Sequence, residues 1–132
     1  MKKKIIDVLK WIWQFPQNIA GFILSRNYYC YIDGVYWKQH WNKPGVSLGN
    51  YIIVDKEIMT VDSRIALHEK GHQKQSLMLG PLYLLIIGLP SAARNIYDRI
   101  AHRNWSVVDR TYWYYEGFPE KWADELGGVV RL

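Results

Sequence analysis

A single cysteine, Cys30, stands among 132 residues, so the chain forms no internal disulfide and the thiol reads as a buried, inert one. Long apolar runs are also missing. The longest, residues 77–89, is broken by Gly80, Pro81 and Gly88 and falls well short of the roughly 20 residues that cross a bilayer. Residues 1–9 carry the basic charge of a secretory leader, but Asp7, Lys10 and Gln14 interrupt any apolar centre and no small-residue cleavage site follows. The expectation is a chain with neither cleaved leader nor spanning helix, located in the cytoplasm or at the membrane periphery. Runs of one charge are scarce. The net charge is +5, yet only Lys2, Lys3 and Lys4 cluster, and elsewhere cations mix with acids, as at Arg94, Asp98 and Arg99. With no nucleic-acid motif beside them, nucleic acid is not an expected partner. Internal repeats and low-complexity segments are absent as well.

What is present is a globular composition, 49% apolar and 22% charged, at a length suited to one domain. We expect a single domain over residues 1–132, with residues 1–25 as an amphipathic helical segment and residues 26–132 as the core. Ile5, Val8, Leu9, Ile12 and Trp13 recur at helical spacing, Lys3, Asp7, Lys10 and Gln14 share the opposite face, and the helix stops near Pro16. Such a stripe ordinarily packs on the domain's own core. Lysines followed by Trp11 and Trp13 also suit a bilayer surface, so peripheral membrane contact through this helix is the second reading. Residues 18–24 predict a short helix, and Tyr28, Tyr29, Tyr31, Tyr36 and Trp37 predict strands turning at Asp33 and Gly34. Residues 42–45 read as a loop and residues 48–54 as a further strand. A helix follows from about residue 60, capped by Asp62 or Ser63. Beyond it come a buried helical segment over residues 82–89 and a helix over residues 92–102 entered after Pro90. Residues 105–115 fit a strand or a loop equally, and Pro119 opens a last helix, residues 120–126, ended by Gly127 and Gly128. The fold class is α+β: a small antiparallel sheet packed on a central helix, with further helices around it.

Chemistry concentrates at His68, Glu69, Lys70, Gly71 and His72, which spell HExxH. Four residues are slightly more than a helical turn, so both imidazoles leave one face and offer two nitrogens to a Zn²⁺ ion. Glu69 then stands beside the ion without binding it, where its carboxylate can take a proton from water as general base. Gly71 costs about 1 kcal/mol in a helix interior, which points to something packed against the backbone there. A zinc site needs a third protein ligand and one open position. His40 and His102 are candidates, and Glu120 is a better one, with Asp124 a turn later; on their segment alone the two acids fit a solvated helix face equally well. If Glu120 faces the metal, Asp124 is placed to receive the free ring N–H of a ligating histidine. Tyr114, Tyr115 and His102 are possible hydrogen-bond donors to a developing oxyanion, with Tyr115 the preferred one.

HExxH followed by Glu120-Lys121-Trp122-Ala123-Asp124, or ExxAD, resembles the gluzincin metallopeptidases, including the membrane-associated quality-control peptidases among them. Residues 45–131, with HEKGHQKQS, LGPLYLLIIGLPS and EKWADELGGV, are also similar to small uncharacterised zincin-like proteins of gut bacteria and their mobile elements. The resemblance implies a minimal zincin core, Glu120 as third zinc ligand, Asp124 behind it, and hydrolysis of a peptide or protein substrate. The alternative is a silent zincin fold kept as a structural or binding module. In zincins the strand before the active-site helix often pairs with an extended substrate, and residues 49–55 occupy that place.

Overall fold

The structure is a computed structural model and describes residues 1–24, 30–32, 35–40, 45–55 and 64–131. The expected turn at Asp33 and Gly34, most of the loop over residues 42–45, Tyr28, Tyr29 and the caps Asp62 and Ser63 lie outside the described residues. Two helices open the chain, α1 (Lys2–Trp13) and α2 (Phe15–Leu24). Pro16 does more than stop the first helix. It sits in the first turn of α2, where the missing N–H leaves no intrahelical bond unmade, so the second helix starts three residues before its expected beginning at Asn18.

Four strands follow: β1 (Cys30–Ile32), β2 (Val35–His40), β3 (Val46–Leu48) and β4 (Tyr51–Asp55). They lie in the order β1-β2-β4-β3. β1 and β2 pair antiparallel with Ile32 opposite Val35, as the expected hairpin requires. The sheet is nevertheless mixed, because β2 and β4 run parallel, Trp37 opposite Ile52. The stretch expected as one strand over residues 48–54 is in fact two. Gly49 takes a φ of +64°, a left-handed conformation that suits glycine, and the resulting two-residue turn folds β3 back antiparallel on β4. Reversing the chain there is what leaves β4 parallel to β2.

β4 is covered on both faces, with Tyr51 and Ile53 buried on one and Ile52 and Val54 on the other. Val35 and Trp37 of β2 and Ile52 and Val54 of β4 point to one side and pack with Ala66 of the next helix into a buried cluster. Fully burying an aliphatic side chain of this size stabilises the fold by roughly 1.5–3 kcal/mol. That next helix is α3 (Arg64–Leu79), the one carrying HExxH. It ends at Gly80, whose φ of +57° and position against the Trp13 ring exclude a side chain. A 3₁₀ turn (Gly80–Leu82) and a π turn (Leu84–Gly88) lead into α4 (Leu89–Ala101), with the axis bent by 120°. The segment over residues 82–89 is helical as expected but only partly buried: Tyr83 and Ile87 face in, while Leu82, Leu85, Ile86 and Leu89 are exposed.

Residues 107–115 correct the expectation of strand or loop, forming helix α5 (Val107–Tyr115). Ser106 caps it, its Oγ accepting the Asp109 N–H at 3.0 Å, an S-x-x-D box that outweighs the β-propensity of the aromatic run. The final helix α6 (Glu120–Gly127) ends as expected in left-handed Gly128. No described helix alone is long and apolar enough to cross a membrane.

Candidate metal centre

α3 and α6 meet at backbone distance, and this contact assembles the site. A Cβ on Gly71 would fall 1.8 Å from the Ala123 carbonyl oxygen, and one on Gly127 would fall 2.0 Å from that of Leu67. The glycine inferred to meet close packing does so, and the neighbour is the ExxAD helix itself.

The approach brings Glu120, wholly buried, onto the two histidines. Glu120 Oε2 lies 2.9 Å from His68 Nε2 and 3.0 Å from His72 Nε2. One ligand atom from each residue lies within 4.8 Å of the others, so His68, His72 and Glu120 are placed to bind a metal ion. Tetrahedral coordination at about 2.0–2.1 Å separates ligand atoms by roughly 3.3 Å, a few tenths of an ångström more than the two carboxylate-to-imidazole distances.

The far side of each ring shows why a cation belongs there. His68 Nδ1 stands 2.7 Å from Asp124 Oδ1, and a carboxylate can only accept, so that nitrogen carries a hydrogen. His72 Nδ1 stands 2.7 Å from Gln75 Oε1, and the Gln75 amide donates to the Pro119 carbonyl at 3.2 Å, which fixes its orientation. With both Nδ1 atoms as donors, the neutral rings aim Nε2 lone pairs at a carboxylate oxygen. Lone pairs facing lone pairs repel unless a proton or a metal ion lies between them.

The charges around the site favour the proton. Burial pulls the His68 pKa down, but hydrogen bonds to Asp124 and Glu120 outweigh it and carry it up to about 9. His72 is also raised, burial being outweighed by Glu120. Burial likewise works against the Glu120 charge, and the two imidazoles overcome it, holding the carboxyl well below its ordinary value. A divalent ion bound there would replace those protons and neutralise the same buried carboxylate.

Outer contacts fix the ligands. Glu120 Oε1 accepts from Ser91 Oγ and, at 3.2 Å, from Tyr114 Oη. Arg131 donates to Asp124 through Nε and, at 3.0 Å, through Nη2, and lies 3.4 Å over the Tyr115 ring. Tyr115 in turn meets the His68 ring edge to face at 5.0 Å. Glu69 is buried with Oε1 against Gly45, and its Oε2 has no hydrogen-bond partner among the described residues. Burial pushes its pKa up, against the pull of the two histidines. A buried carboxylate oxygen left unpaired costs free energy, so its place beside the two imidazoles calls for an explanation.

A cleft of about 990 Å³ opens onto Glu69, His68, His72 and Glu120, with Tyr114 and Tyr115 on its wall. Its other wall includes Val46, Ser47 and Leu48 of β3. β3 is therefore the strand beside the cleft. β4, over which substrate pairing was expected, is hydrogen-bonded on both sides within the sheet and has no edge to offer. Tyr83 Oη already donates to the Ser47 carbonyl at 3.1 Å.

Of the other candidate ligands, His102 lies elsewhere, 3.1 Å from Asp98 and stacked on Trp105; the His40 side chain lies outside the described residues. Sequence reasoning missed Gln75, Ser91 and Arg131, and weighed Tyr114 only as an oxyanion donor. Gln75 was detectable, three residues after His72 and hence on the same helix face. Compared with known protein families, curated proteins and solved structures, the chain matches none, so the gluzincin resemblance rests on its own residues.

Proposed function

We propose that the chain is a zinc-dependent peptide hydrolase of the gluzincin type. One observation carries the reading: two imidazole nitrogens and a carboxylate oxygen converge on one point beside Glu69, a buried carboxylate with an unpartnered oxygen. Two nitrogens and one carboxylate oxygen with a position open to a cleft are the donor set of catalytic zinc. An ion held by His68, His72 and Glu120 would supply Lewis acidity toward a scissile carbonyl and an attacking water. Glu69 Oε2 takes the proton from that water and returns it to the leaving nitrogen. Tyr115, on the cleft wall beside His68, is the group proposed to donate to the developing oxyanion. Apolar side chains such as Leu84 and Leu89 help line the cleft, limiting bulk water around the reacting bond. A peptide is the favoured substrate because β3 runs along the cleft and can guide an extended backbone.

Elemental analysis of the purified protein, followed by a peptide-library cleavage assay on native and Glu69→Gln chains, tests this reading. Stoichiometric zinc in both, with cleavage reduced roughly 10²–10⁴-fold in the variant, is the expected result. Unchanged cleavage would remove Glu69 from the mechanism. A native chain that takes up no metal when zinc is supplied would remove the centre altogether.

A further inference from the structure

α2 is built inside out. Its buried side chains are the amides Gln17 and Asn18, both 0% exposed, whereas Phe22 is 58% and Ile23 60% exposed. The inner face makes polar contacts, although Gln17 Oε1 is buried without a hydrogen-bond partner among the described residues. Gln17 Nε2 donates to Ser76 Oγ and to the Gly80 carbonyl, each at 2.8 Å, and Asn18 Oδ1 accepts from the Asn50 N–H at 2.7 Å. Ser76 Oγ passes its own hydrogen to Gln14 Oε1 at 2.6 Å. Phe15, Ile19, Phe22 and Ile23 share an outer arc of roughly 100°. A helix arranged for water places its amides outside and its phenylalanines inside, and this one does the reverse.

α1 continues the pattern. None of its residues is buried, and the apolar stripe of Ile5, Val8, Leu9 and Ile12 is more than half exposed along its length. The expectation that this stripe packs on the core is therefore corrected: Gln14, Gln17 and Ser76 form a polar seam beneath the two helices, and the apolar contact there is made by Tyr51 with Gly21 and the edge of Phe22, on α2 rather than on the α1 stripe. α1 is fastened at its C-terminal end, where Trp13 Nε1 donates to the Leu77 carbonyl at 2.7 Å and Asn18 donates to that of Trp11 at 2.9 Å. Lys2, Lys3, Lys4 and Lys10 accompany the stripe, with Asp7 the single acid of the helix.

We propose that α1 and α2 dock the protein on an anionic lipid surface, with their outward apolar side chains in the acyl boundary and the lysines among the headgroups. Charge selects this occupant over a second copy of the chain. Two copies would bring their lysines together at a net charge of +5 each, whereas lipid phosphates and carboxylates neutralise them. The Trp13 ring also covers Gly80, and Leu82 and Leu85, which follow Gly80 in the chain, are exposed as well. The inference is independent of the peptidase reading.

The test is flotation of the full chain with vesicles of phosphatidylcholine, with and without phosphatidylserine. Binding to the anionic vesicles, weakened by salt, is expected. A surface lysine contributes about fivefold, so combined Lys2→Glu, Lys3→Glu and Lys4→Glu should lower that binding about a hundredfold or more. Leu9→Asp with Phe22→Asp should abolish it while leaving the circular dichroism spectrum unchanged, since both positions are exposed. Absence of native chain from the anionic vesicle fraction overturns the proposal, as does equal flotation of either variant. A native dimer that fails to float, and that the two aspartates convert to monomer, would assign the surface to a second copy instead.

Discussion

Glu120 is gripped at both oxygens, and the grip determines how it can bind an ion. Oε2 faces the imidazoles while Oε1 is held by Ser91 and Tyr114, so the carboxylate presents one oxygen rather than two. Ser91→Ala and Tyr114→Phe should each weaken metal binding by roughly 10–100-fold, read by competition with a chromogenic chelator. Unchanged affinity in both would show that helix packing alone orients Glu120. These contacts also mark the limit of what sequence discloses about a site. His68 with His72, and Glu120 with Asp124, are legible because four residues on a helix share a face whatever the tertiary structure. Ser91 and Arg131 arrive through the packing of separate segments, and nothing in their own neighbourhood signals it.

At the scale of elements, the α3–α6 contact is the most sensitive joint. Gly71→Ala would drive a methyl group into the Ala123 carbonyl, and backbone on both sides leaves nothing flexible to give way. Separation of the helices should lower stability by about 1–3 kcal/mol and release bound metal, measured by thermal unfolding and elemental analysis. Gly88→Ala is the control, since its nearest neighbour is the Leu84 side chain at 3.4 Å, and it should leave metal content unchanged. Helices α1, α3 and α6 were legible from apolar spacing, from a capping signal, and from the Pro-to-Gly frame respectively. α5 was obscured because aromatic residues favour strands on average, while the short-range signal that prevails, Ser106 bonded to Asp109, occupies only its first turn. The parallel pairing of β2 with β4 was hidden for a different reason: it depends on a single left-handed residue, Gly49, within an apparently continuous β-prone run.

For the whole molecule, α+β was readable from the order of segments, but which side of an amphipathic helix faces the interior was not. Periodicity reports that one arc is apolar; only the tertiary structure reveals that the seam under α1 and α2 is made of amides. The buried triad would also couple the stability of the molecule to any ion it binds. An ion that binds the folded chain alone stabilises it, by about 4 kcal/mol at a thousandfold excess over its dissociation constant. Chelation should therefore lower the melting temperature of the native protein and have no effect on His68→Ala, and equal melting of native protein with and without chelator would show that the fold does not bind the ion. The separation of the ligands along the chain has a consequence in time. His72 and Glu120 are 48 residues apart. At ordinary rates of translation the ribosome takes roughly two to ten seconds to cover that distance. For that interval the growing chain presents a pair of imidazoles without their carboxylate, and the complete three-ligand centre becomes available only after the last helix has been synthesised and has closed on α3.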